Sequence, residues 1–363
     1  MKKIFIFSSV HNWRDTRIFC KQAVSLAKKF YVELHAPADF TFKKVGGVNV
    51  VGLPKWKKRK DRSKIALELW KRIRKSDCDI FHFHDPELIF HGIFVRLIRN
   101  KKTIFDVHEN IPRQILSKDY IKSHLLRKII SILFFILEFI ACRFFNKVIV
   151  AGEDILKNEK KRIIINNYPI VRKNEKITKK NLERLAYLGS ITKIRGIEEI
   201  LLAIQKINTS YYKNLKLIAI GPFKNVDYKE YILQKFDKEL EYLGIMKQSD
   251  AFKIIRKCFV GIALYQPVPN HYCLRSNKVF EYLDLGLPVV YPYYKDWVKK
   301  LSDGEVGYAV KPDDIDEIAQ KVNYLSENEE TVEKLSKNAK KLVSEKYSWK
   351  MEEKKLINLY QYL

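Results

Sequence analysis

The chain has 363 residues, of which 47% are hydrophobic. This is too long for one hydrophobic core and suits two domains, and the lack of a long polar tract excludes an extensively disordered chain. The 69 basic and 42 acidic residues give a net charge of +27, which predicts an anionic partner such as nucleic acid, anionic lipid or a phosphorylated substrate. Five cysteines without pairing or metal-ligand spacing favour reduced thiols in a cytoplasmic protein: Cys20, Cys78, Cys142, Cys258 and Cys273.

Short apolar strands alternate with helical stretches in the first half of the chain. The predicted strands are Ile4–Ser8, Val32–His35, Ile80–His84, Thr103–Val107 and Val148–Ala151. Helices are predicted between them, for instance at Asp15–Lys28, Ile65–Lys75 and Glu87–Arg99. Alternation of this kind predicts a parallel sheet that is covered on both faces.

A dense basic run surrounds Trp56. Its members are Lys55, Lys57, Lys58, Arg59, Lys60, Arg62 and Lys64. Contact with an anionic membrane surface and a merely solvated loop are both compatible with this pattern. Nucleic acid is the least favoured partner, because no DNA- or RNA-binding motif accompanies the charge.

A second candidate for membrane contact is the apolar stretch from Ile129 to Phe145, in which Glu138 and Arg143 are the charged members. It is shorter than the roughly 20 apolar residues of a spanning helix, and Glu138 would be costly in lipid. We therefore expect a buried or half-exposed helix. Packing in the core alone and partial insertion into a bilayer surface both remain open.

The alternating pattern stops near Asn167-Tyr168-Pro169, and the polar segment from Val171 to Asn181 is the best linker candidate. We therefore predict one domain over residues 1–168 and another over 169–346. The second series of strands is Leu185–Leu188, Leu217–Ile220, Leu240–Leu243, Val260–Leu264, Val289–Tyr291 and Tyr308–Val310. Doubly wound domains of this kind bind ligands at the carboxyl ends of their strands, and we expect the ligand in a cleft between the two domains.

The stretch from Ser276 to Val290 is the most informative part of the sequence. It predicts a short helix capped by Ser276 and ended by Gly286, followed by a buried strand. The helix N-terminus and Lys278 together suit a phosphate or diphosphate. Glu281 lies on nearly the same helix face and could accept hydrogen bonds from ribose hydroxyls, so the pattern indicates a nucleotide. An ordinary capped helix with a surface Lys–Glu pair is the alternative.

Together with four earlier stretches, this segment resembles glycosyltransferase family 4. The earlier stretches are Asp15-Thr16-Arg17-Ile18-Phe19, His82-Phe83-His84-Asp85-Pro86-Glu87, Phe105-Asp106-Val107-His108-Glu109, and Tyr187-Leu188-Gly189-Ser190 with Arg195-Gly196. The resemblance spans nearly the whole chain, and its specificity comes from the order of the set. It implies the α/β GT-B fold, in which two Rossmann-like doubly wound domains face a central cleft and the C-terminal helix, about 347–363, crosses back onto the first domain.

The resemblance implies a donor site in the second domain. Its residues would be Gly189, Ser190, Arg195, Ser276, Asn277, Lys278 and Glu281. Gly189 would let the backbone approach the ligand, and Arg195 with Lys278 would take a catalytic role by stabilising the charge on the leaving diphosphate. A structural turn with a surface arginine is the alternative for the first half of this site.

Three further positions are implied on the acceptor side of the first domain, together with one histidine near the donor. His108 would contact the donor sugar or its phosphate, although a hydrogen-bonded histidine at a strand end is the alternative. His11 or Asp15 would orient the acceptor hydroxyl or, in an inverting enzyme, act as the general base, which would make Asp15 catalytic. Capping of the following helix is the alternative for Asp15. Arg17 is expected to form an ion pair with Asp15.

We expect neither a metal nor another cofactor. His82 and His84 lie on one strand face, but further ligands at close spacing are missing, so they are predicted to line a cleft or pack in the core. In the family that this chain resembles, protein cations and helix dipoles do the work of a metal. The co-substrate would be the nucleotide sugar itself.

The sequence therefore predicts a hexosyl-type glycosyltransferase that moves a sugar from a nucleotide diphosphate, preferably UDP, to a lipid-linked saccharide of a bacterial-type surface polysaccharide. The resemblance implies retention at the anomeric carbon. The protein is expected to be cytoplasmic and peripheral on the inner face of the plasma membrane. Two alternatives remain, a sugar-nucleotide 2-epimerase and a non-catalytic membrane-associated scaffold. The second is kept open by Cys273, which stands where the family often has a glutamate.

Overall fold

The computed structural model describes residues 1–56, 58, 61–116, 118, 121–172, 177–274 and 276–363. Three members of the basic run, Lys57, Arg59 and Lys60, and residues 173–176 of the predicted linker lie outside the described residues. The chain forms two compact units. The N-terminal unit comprises Met1–Asn167 with Trp349–Leu363, and the C-terminal unit comprises Tyr168–Ser348.

An eight-stranded sheet forms the centre of the N-terminal unit. Its strands are β1 (Lys3–Phe7), β2 (Tyr31–Pro37), β3 (Phe42–Val45), β4 (Val48–Leu53), β5 (Ile80–Phe83), β6 (Lys102–Val107), β7 (Lys147–Val150) and β8 (Arg162–Ile164). Their order across the sheet is β3-β4-β2-β1-β5-β6-β7-β8. The β3–β4 pair is antiparallel, and the other pairs of neighbouring strands are parallel. The chain reverses its direction of winding between β1 and β5, so these two strands flank the topological switch point of the sheet.

Helices cover both faces of this sheet. Successive side chains of β1 point to opposite faces, so this strand contributes to an apolar core on each side. The helices are α1 (π-helical over Thr16–Ala23 and α-helical over Val24–Leu26), α2 (Asp61–Lys75), α3 (Ile89–Leu97), α4 (Ile111–Leu116), α5 (His124–Phe144) and α13 (Trp349–Tyr362). Ile4 and Ile6 belong to the core that includes residues of α1 and α13. Phe5 and Phe7 belong to the core on the opposite face, which includes residues of α2, α3 and α5.

The C-terminal helix α13 is an integral part of the N-terminal unit. The indole Nε1 of Trp349 donates a hydrogen bond to Ser25 Oγ (3.0 Å), and the Glu352 carboxylate accepts one from the backbone N–H of Asn166 (2.9 Å). The Tyr360 hydroxyl lies 2.6 Å from His82 Nδ1 in the sheet. The helix thus covers one face of the N-terminal sheet with buried side chains and specific polar contacts.

The C-terminal unit has a six-stranded, wholly parallel sheet in the order β11-β10-β9-β12-β13-β14. Its strands are β9 (Asn181–Leu188), β10 (Lys216–Ile220), β11 (Leu240–Gly244), β12 (Cys258–Ile262), β13 (Val289–Pro292) and β14 (Gly307–Val310). Its helices are α6 (Ile197–Tyr211), α7 (Val226–Lys235), α8 (Gln248–Ile255), α9 (Asn277–Asp284), α10 (Lys295–Leu301), α11 (Ile315–Glu327) and α12 (Glu329–Lys346). The switch point of this sheet lies between β9 and β12.

All eleven predicted strands coincide with observed strands, because each is an apolar run that both faces of a parallel sheet can bury. The hairpin of β3 and β4 was missed, although Gly46 and Gly47 have the positive φ angles (58° and 81°) of a two-residue hairpin turn. The first helix, predicted over Asp15–Lys28, is observed over Thr16–Ala23 and Val24–Leu26, and it begins as a π-helix.

Loss of side-chain volume in α13 should destabilise the N-terminal unit. Leu356 is fully buried in the core beneath β1, so Leu356→Ala is expected to lower the free energy of unfolding by about 2–5 kcal/mol. Urea unfolding followed by circular dichroism measures this change. Lys354→Ala, at an exposed position of the same helix, is the matched control and should change stability by less than about 0.5 kcal/mol. Equal stability of Leu356→Ala and wild type would show that α13 does not contribute to the core.

Candidate functional site

Three of the predicted donor residues, Gly189, Arg195 and Lys278, come together at the switch point of the C-terminal unit. Gly189 follows β9, and its backbone has a φ of +105° that glycine adopts without strain. A Cβ placed on Gly189 would lie 3.8 Å from Lys278 Cε and 3.9 Å from Arg195 Nη1. The missing side chain therefore leaves space in front of two cationic residues that are far apart in sequence.

Lys278 is the most unusual residue of this group. It lies in the first turn of α9 and is only 6% exposed, and within the described part of the chain its Nζ has no hydrogen-bond partner. The ammonium group faces the ring of Tyr187 at 3.9 Å and that of Tyr265 at 5.2 Å. Such cation–π contacts compensate only part of the cost of removing a charge from water.

Burial and the neighbouring positive charge of Arg195 hold the pKa of Lys278 well below its usual range. An anion bound beside Lys278 would supply the missing counter-charge and raise that pKa again. The amine is thus poised to gain both a hydrogen-bond acceptor and an electrostatic partner when an anionic ligand binds.

Arg195 provides the second cation of the site. It ends a 3-10 turn, Lys193–Arg195, and Gly196 follows with a φ of +71°. A Cβ on Gly196 would lie 2.0 Å from the Leu264 carbonyl oxygen, so the turn packs closely against the segment after β12. Arg195 Nη1 donates to the Ser190 carbonyl oxygen (3.2 Å), which also accepts from the Tyr187 hydroxyl (3.0 Å). This anchors the guanidinium group next to Gly189.

Ser276 does not cap α9 with its side chain as predicted. It occupies the N-cap position, but its Oγ lies 2.9 Å from the Tyr265 hydroxyl instead. Tyr265 is the residue whose ring faces Lys278, so the serine fixes an aromatic wall of the site. Asn277 begins α9 in a half-buried position, and the Glu281 carboxylate accepts a hydrogen bond from Gln248 Nε2 (2.9 Å).

In the N-terminal unit, a fully buried carboxylate organises the residues at the switch point. Asp106, at the end of β6, accepts hydrogen bonds from Arg17 Nη2 (2.8 Å), Arg17 Nε (3.0 Å) and Gln22 Nε2 (2.6 Å). Burial opposes ionisation, but Arg17 and His108 keep the pKa of Asp106 well below its usual range. The expected Arg17–Asp15 ion pair is wrong, because the guanidinium group of Arg17 is buried against Asp106.

Three histidines surround this carboxylate. His82, His84 and His108 each place a ring nitrogen within 3.8 Å of Asp106 Oδ2. His84 Nδ1 lies 3.1 Å from His108 Nε2, so one of the two nitrogens donates and the other accepts. Burial lowers the pKa of both His82 and His84, which keeps these imidazoles neutral. His108 is the most accessible of the three, with a side chain 21% exposed.

His11 and Asp15 lie beside this histidine group. The rings of His11 and His108 are 5.1 Å apart, and His11 Nδ1 lies 3.2 Å from Asp15 Oδ2. Asp15 Oδ1 also accepts from the backbone N–H groups of Arg17 (2.8 Å) and Ile18 (2.9 Å), which confirms its predicted capping role. Burial opposes its ionisation, yet the hydrogen bonds from His11 and Ile18 lower the pKa of Asp15. The pKa of His11 is raised because Asp15 and Asp85 outweigh its burial.

His82, His84 and Asp106 have ligand atoms within 4.8 Å of one another, as in a metal site. The arrangement does not fit a metal ion, since both Asp106 oxygens already accept hydrogen bonds and the positive charge of Arg17 lies against them. A hydrogen-bonded network that holds His108 in place describes these residues better.

The sequence interpretation gave no role to Asp106 or Asp85. Asp85 Oδ2 accepts hydrogen bonds from Ser8 Oγ (2.7 Å) and the backbone N–H of Ser9 (2.6 Å), and so fixes the loop that carries His11. Both aspartates lie at the carboxyl end of a strand, which is the available signal. The order of strands, with β5 between β1 and β6, was needed to bring them together.

The buried histidines predict a pH dependence of stability. The folded state resists protonation of His84, whereas in the unfolded state this histidine has the ordinary pKa of about 6.5. Below that pH the unfolded state therefore binds more protons than the folded state, and the free energy of unfolding falls as pH decreases. His84→Gln should flatten the slope of unfolding free energy between pH 5 and 6.5 by up to about 1.4 kcal/mol per pH unit. Urea unfolding across this range measures the slope. His124→Gln, which removes an exposed histidine, is the control, and an unchanged slope in His84→Gln would contradict the assignment.

Comparison with known proteins shows similarity to glycosyltransferases, and the family match lies in the C-terminal unit. Residues 170–342, nearly half of the chain, match the family described as Glycosyl transferases group 1. The capsular polysaccharide biosynthesis glycosyltransferase CapM of Staphylococcus aureus is 24% identical over 199 residues, which cover 54% of this chain and 50% of CapM. The chain spans about half or less of the length of the curated relatives that it matches.

Several solved structures are similar along the whole chain, and sucrose-phosphate synthase and HepE are two of them. Sucrose-phosphate synthase from Thermosynechococcus elongatus has a TM-score of 0.75 at 13% identity, with 100% of this chain and 99% of that one covered. HepE from Anabaena, in complex with UDP, has a TM-score of 0.68 at 14% identity with both chains fully covered. These likenesses confirm the predicted fold. The chain has the GT-B fold of two Rossmann-like α/β domains, and its C-terminal unit is similar to the group 1 glycosyl transferases.

Proposed function

We propose that this protein is a glycosyltransferase that uses a nucleotide-diphosphate sugar as its donor. The observation that carries the proposal is the Gly189–Arg195–Lys278 corner of the C-terminal unit. There, a buried amine without a hydrogen-bond partner in the described chain lies next to a guanidinium group and to space left by a glycine. A diphosphate is the ligand chemistry that would satisfy both cations at once.

The reaction would break the bond between the anomeric carbon and the β-phosphate oxygen. The bonding electrons leave with the phosphate, and the anomeric carbon forms a new bond to the acceptor hydroxyl oxygen. We propose retention, in which the leaving phosphate takes the acceptor proton on the same face. Lys278 and Arg195 would stabilise the negative charge that accumulates on the diphosphate, which is the main requirement of this step.

The remaining site residues have proposed supporting roles. Glu281 would accept hydrogen bonds from the ribose, and the backbone at Gly189, Ser190, Ser276 and Asn277 would surround the phosphates. In the N-terminal unit, His108 would contact the transferred sugar or its phosphate. His11 and Asp15 would orient the acceptor hydroxyl. Arg17 would act only indirectly, through Asp106, because its side chain is buried.

Several finer points belong to the same proposal. UDP is the preferred nucleotide, since HepE is described in complex with UDP. A lipid-linked saccharide of a surface polysaccharide is the proposed acceptor, in line with the description of CapM.

No metal or other cofactor would be needed. The protein would act in the cytoplasm at an anionic membrane surface, which its net charge of +27 favours. No helix in the described ranges is long and apolar enough to cross a membrane.

Replacing the buried amine tests the proposal. Lys278→Ala should lower turnover by roughly 10²-fold or more, because the charge on the leaving diphosphate loses its closest cation. Release of free nucleotide diphosphate from a panel of nucleotide sugars, with membrane lipid extract as the acceptor source, measures the rate. Lys337→Ala removes an exposed lysine of the same unit and should retain full activity.

The outcomes separate the candidate functions. Full activity of Lys278→Ala would remove the residue from this role. Conversion of the donor to an epimer without an acceptor would identify an epimerase, and nucleotide binding with no turnover on any donor or synthetic lipid-linked acceptor would indicate a scaffold.

The lowered pKa of Lys278 predicts proton uptake when the nucleotide binds. The pKa of Lys278 lies well below its usual range in the free protein, and a bound diphosphate raises it, so binding at a pH between these two pKa values should take up at most one proton at this site. Calorimetric titration with UDP in buffers of different ionisation enthalpy measures the uptake. Lys278→Met should take up correspondingly less, and equal uptake by both proteins would contradict the assignment.

A further inference from the structure

Helix α5 turns its large apolar side chains away from the protein. Its inward positions are small or polar residues, Ser131, Glu138, Ala141 and Cys142, all of which are buried. At 100° per residue the outward positions occupy an arc of about 200° on the opposite side of the helix. We call this the outer face of α5, and it consists of Leu125, Leu126, Ile129, Ile132, Leu133, Phe135, Ile136, Leu137, Ile140 and Phe144.

The inward face already provides the contacts that hold α5 in place. Ser131 Oγ donates to the Pro112 carbonyl oxygen (2.8 Å), and Ala141 with Cys142 packs in the core beside the sheet. Each residue of the outer face is 36–67% exposed. The interpretation of this stretch as core packing alone is therefore wrong, since most of its apolar residues lie on the surface.

The neighbouring helix extends this exposed surface. Helix α3 packs against α5 and exposes Phe90, Leu97 and Ile98, the last of them by 72%. Monomeric soluble proteins rarely expose so many large apolar side chains on adjacent elements, and such surfaces mark sites of protein or membrane contact.

The charges around the outer face favour an anionic partner. Glu138 is the only acid of α5, and it faces inward, where burial raises its pKa to about 7. Lys128 and Arg143 are exposed on the same helix. From Lys118 to Lys147 the sequence has six basic residues and two acids. The outer face is thus an apolar surface with cations near both ends and no exposed carboxylate in the helix.

We infer that the outer face of α5 lies in the interface of an anionic phospholipid bilayer, parallel to the membrane plane. Apolar side chains would enter the boundary between headgroups and acyl chains, and Lys128 and Arg143 would contact lipid phosphates. A second copy of this chain fits less well, because an isologous contact would bring these cations together without acids to pair them.

This inference deepens the proposed function. It rests on that function in one respect, namely that the protein would bind a lipid-linked acceptor at the membrane surface that the outer face contacts.

Vesicle binding by the full chain tests the inference. Wild-type protein should cosediment with phosphatidylglycerol vesicles and much less with phosphatidylcholine vesicles. Leu133→Glu combined with Ile136→Lys should weaken binding to the anionic vesicles roughly tenfold or more, because polar groups replace two apolar residues of the outer face. The pair leaves the net charge unchanged, so the loss would report the apolar contact rather than a weaker electrostatic attraction.

A matched control uses the C-terminal unit. Val226 and Ile245 are exposed there by 69% and 76%, and Val226→Glu with Ile245→Lys makes the same chemical change outside the outer face. This variant should bind vesicles as wild type does. Retained binding by the α5 variant, equal losses in both variants, or no binding of wild type to anionic vesicles would each overturn the inference.

Two further measurements distinguish contact with a bilayer from contact with a second copy of the chain. If the wild type is a dimer, the α5 variant is a monomer and neither binds vesicles, the outer face is covered by a second copy and the inference is wrong.

Ile136→Trp should gain fluorescence quenching by brominated phosphatidylglycerol relative to wild type, and no gain would exclude insertion. Cooperative urea unfolding followed by circular dichroism shows whether the same proteins are folded, and failure of the vesicle test would leave the donor-site assays with Lys278 unaffected.

Discussion

A parallel sheet that is buried on both faces leaves only the ends of its strands for polar chemistry, and this constraint governs both units. The strand interiors are apolar because helices cover both sides. At the carboxyl edge the chain must turn into the next helix, and loop residues and helix N-termini collect there. In each unit, a group of buried polar residues lies at the switch point of the sheet, where the loops after two neighbouring strands diverge.

The two switch points solve the problem of burying charge in different ways. In the N-terminal unit Asp106 is matched by Arg17, and the neighbouring histidines are kept neutral, so the group is electrostatically satisfied. In the C-terminal unit Lys278 has aromatic rings around it but no carboxylate within hydrogen-bond distance among the described residues. A satisfied network suits a positioning role, whereas a buried cation that lacks an acceptor suits a role in binding an anion.

Much of this arrangement can be predicted from the sequence, because strands, glycine turns and helix starts leave local signals. The apolar runs that end before Gly189 and His108 indicated their strands and the position of each loop. Partners that depend on strand order could not be predicted. Arg17 was expected to pair with Asp15, its near neighbour, but β1, β5 and β6 lie side by side and bring Asp106 to it from 89 residues away.

The apolar stretch in α5 shows a second limit. Hydropathy identified the helix, but only its packing reveals that small residues such as Ala141 face the core while Ile132 and Ile136 face outward. The same composition would fit a helix with the opposite orientation. The sequence thus indicates that a helix is apolar, whereas the surrounding elements decide which of its faces meets solvent or lipid.

The most direct test of the central claim is the position of the nucleotide in a crystal structure of this protein with UDP. We expect a phosphate oxygen within about 3.2 Å of Lys278 Nζ, with Arg195 on the same diphosphate. A nucleotide bound elsewhere, with Lys278 still facing Tyr187 and without a hydrogen-bond acceptor, would contradict the assignment of this corner as the donor site.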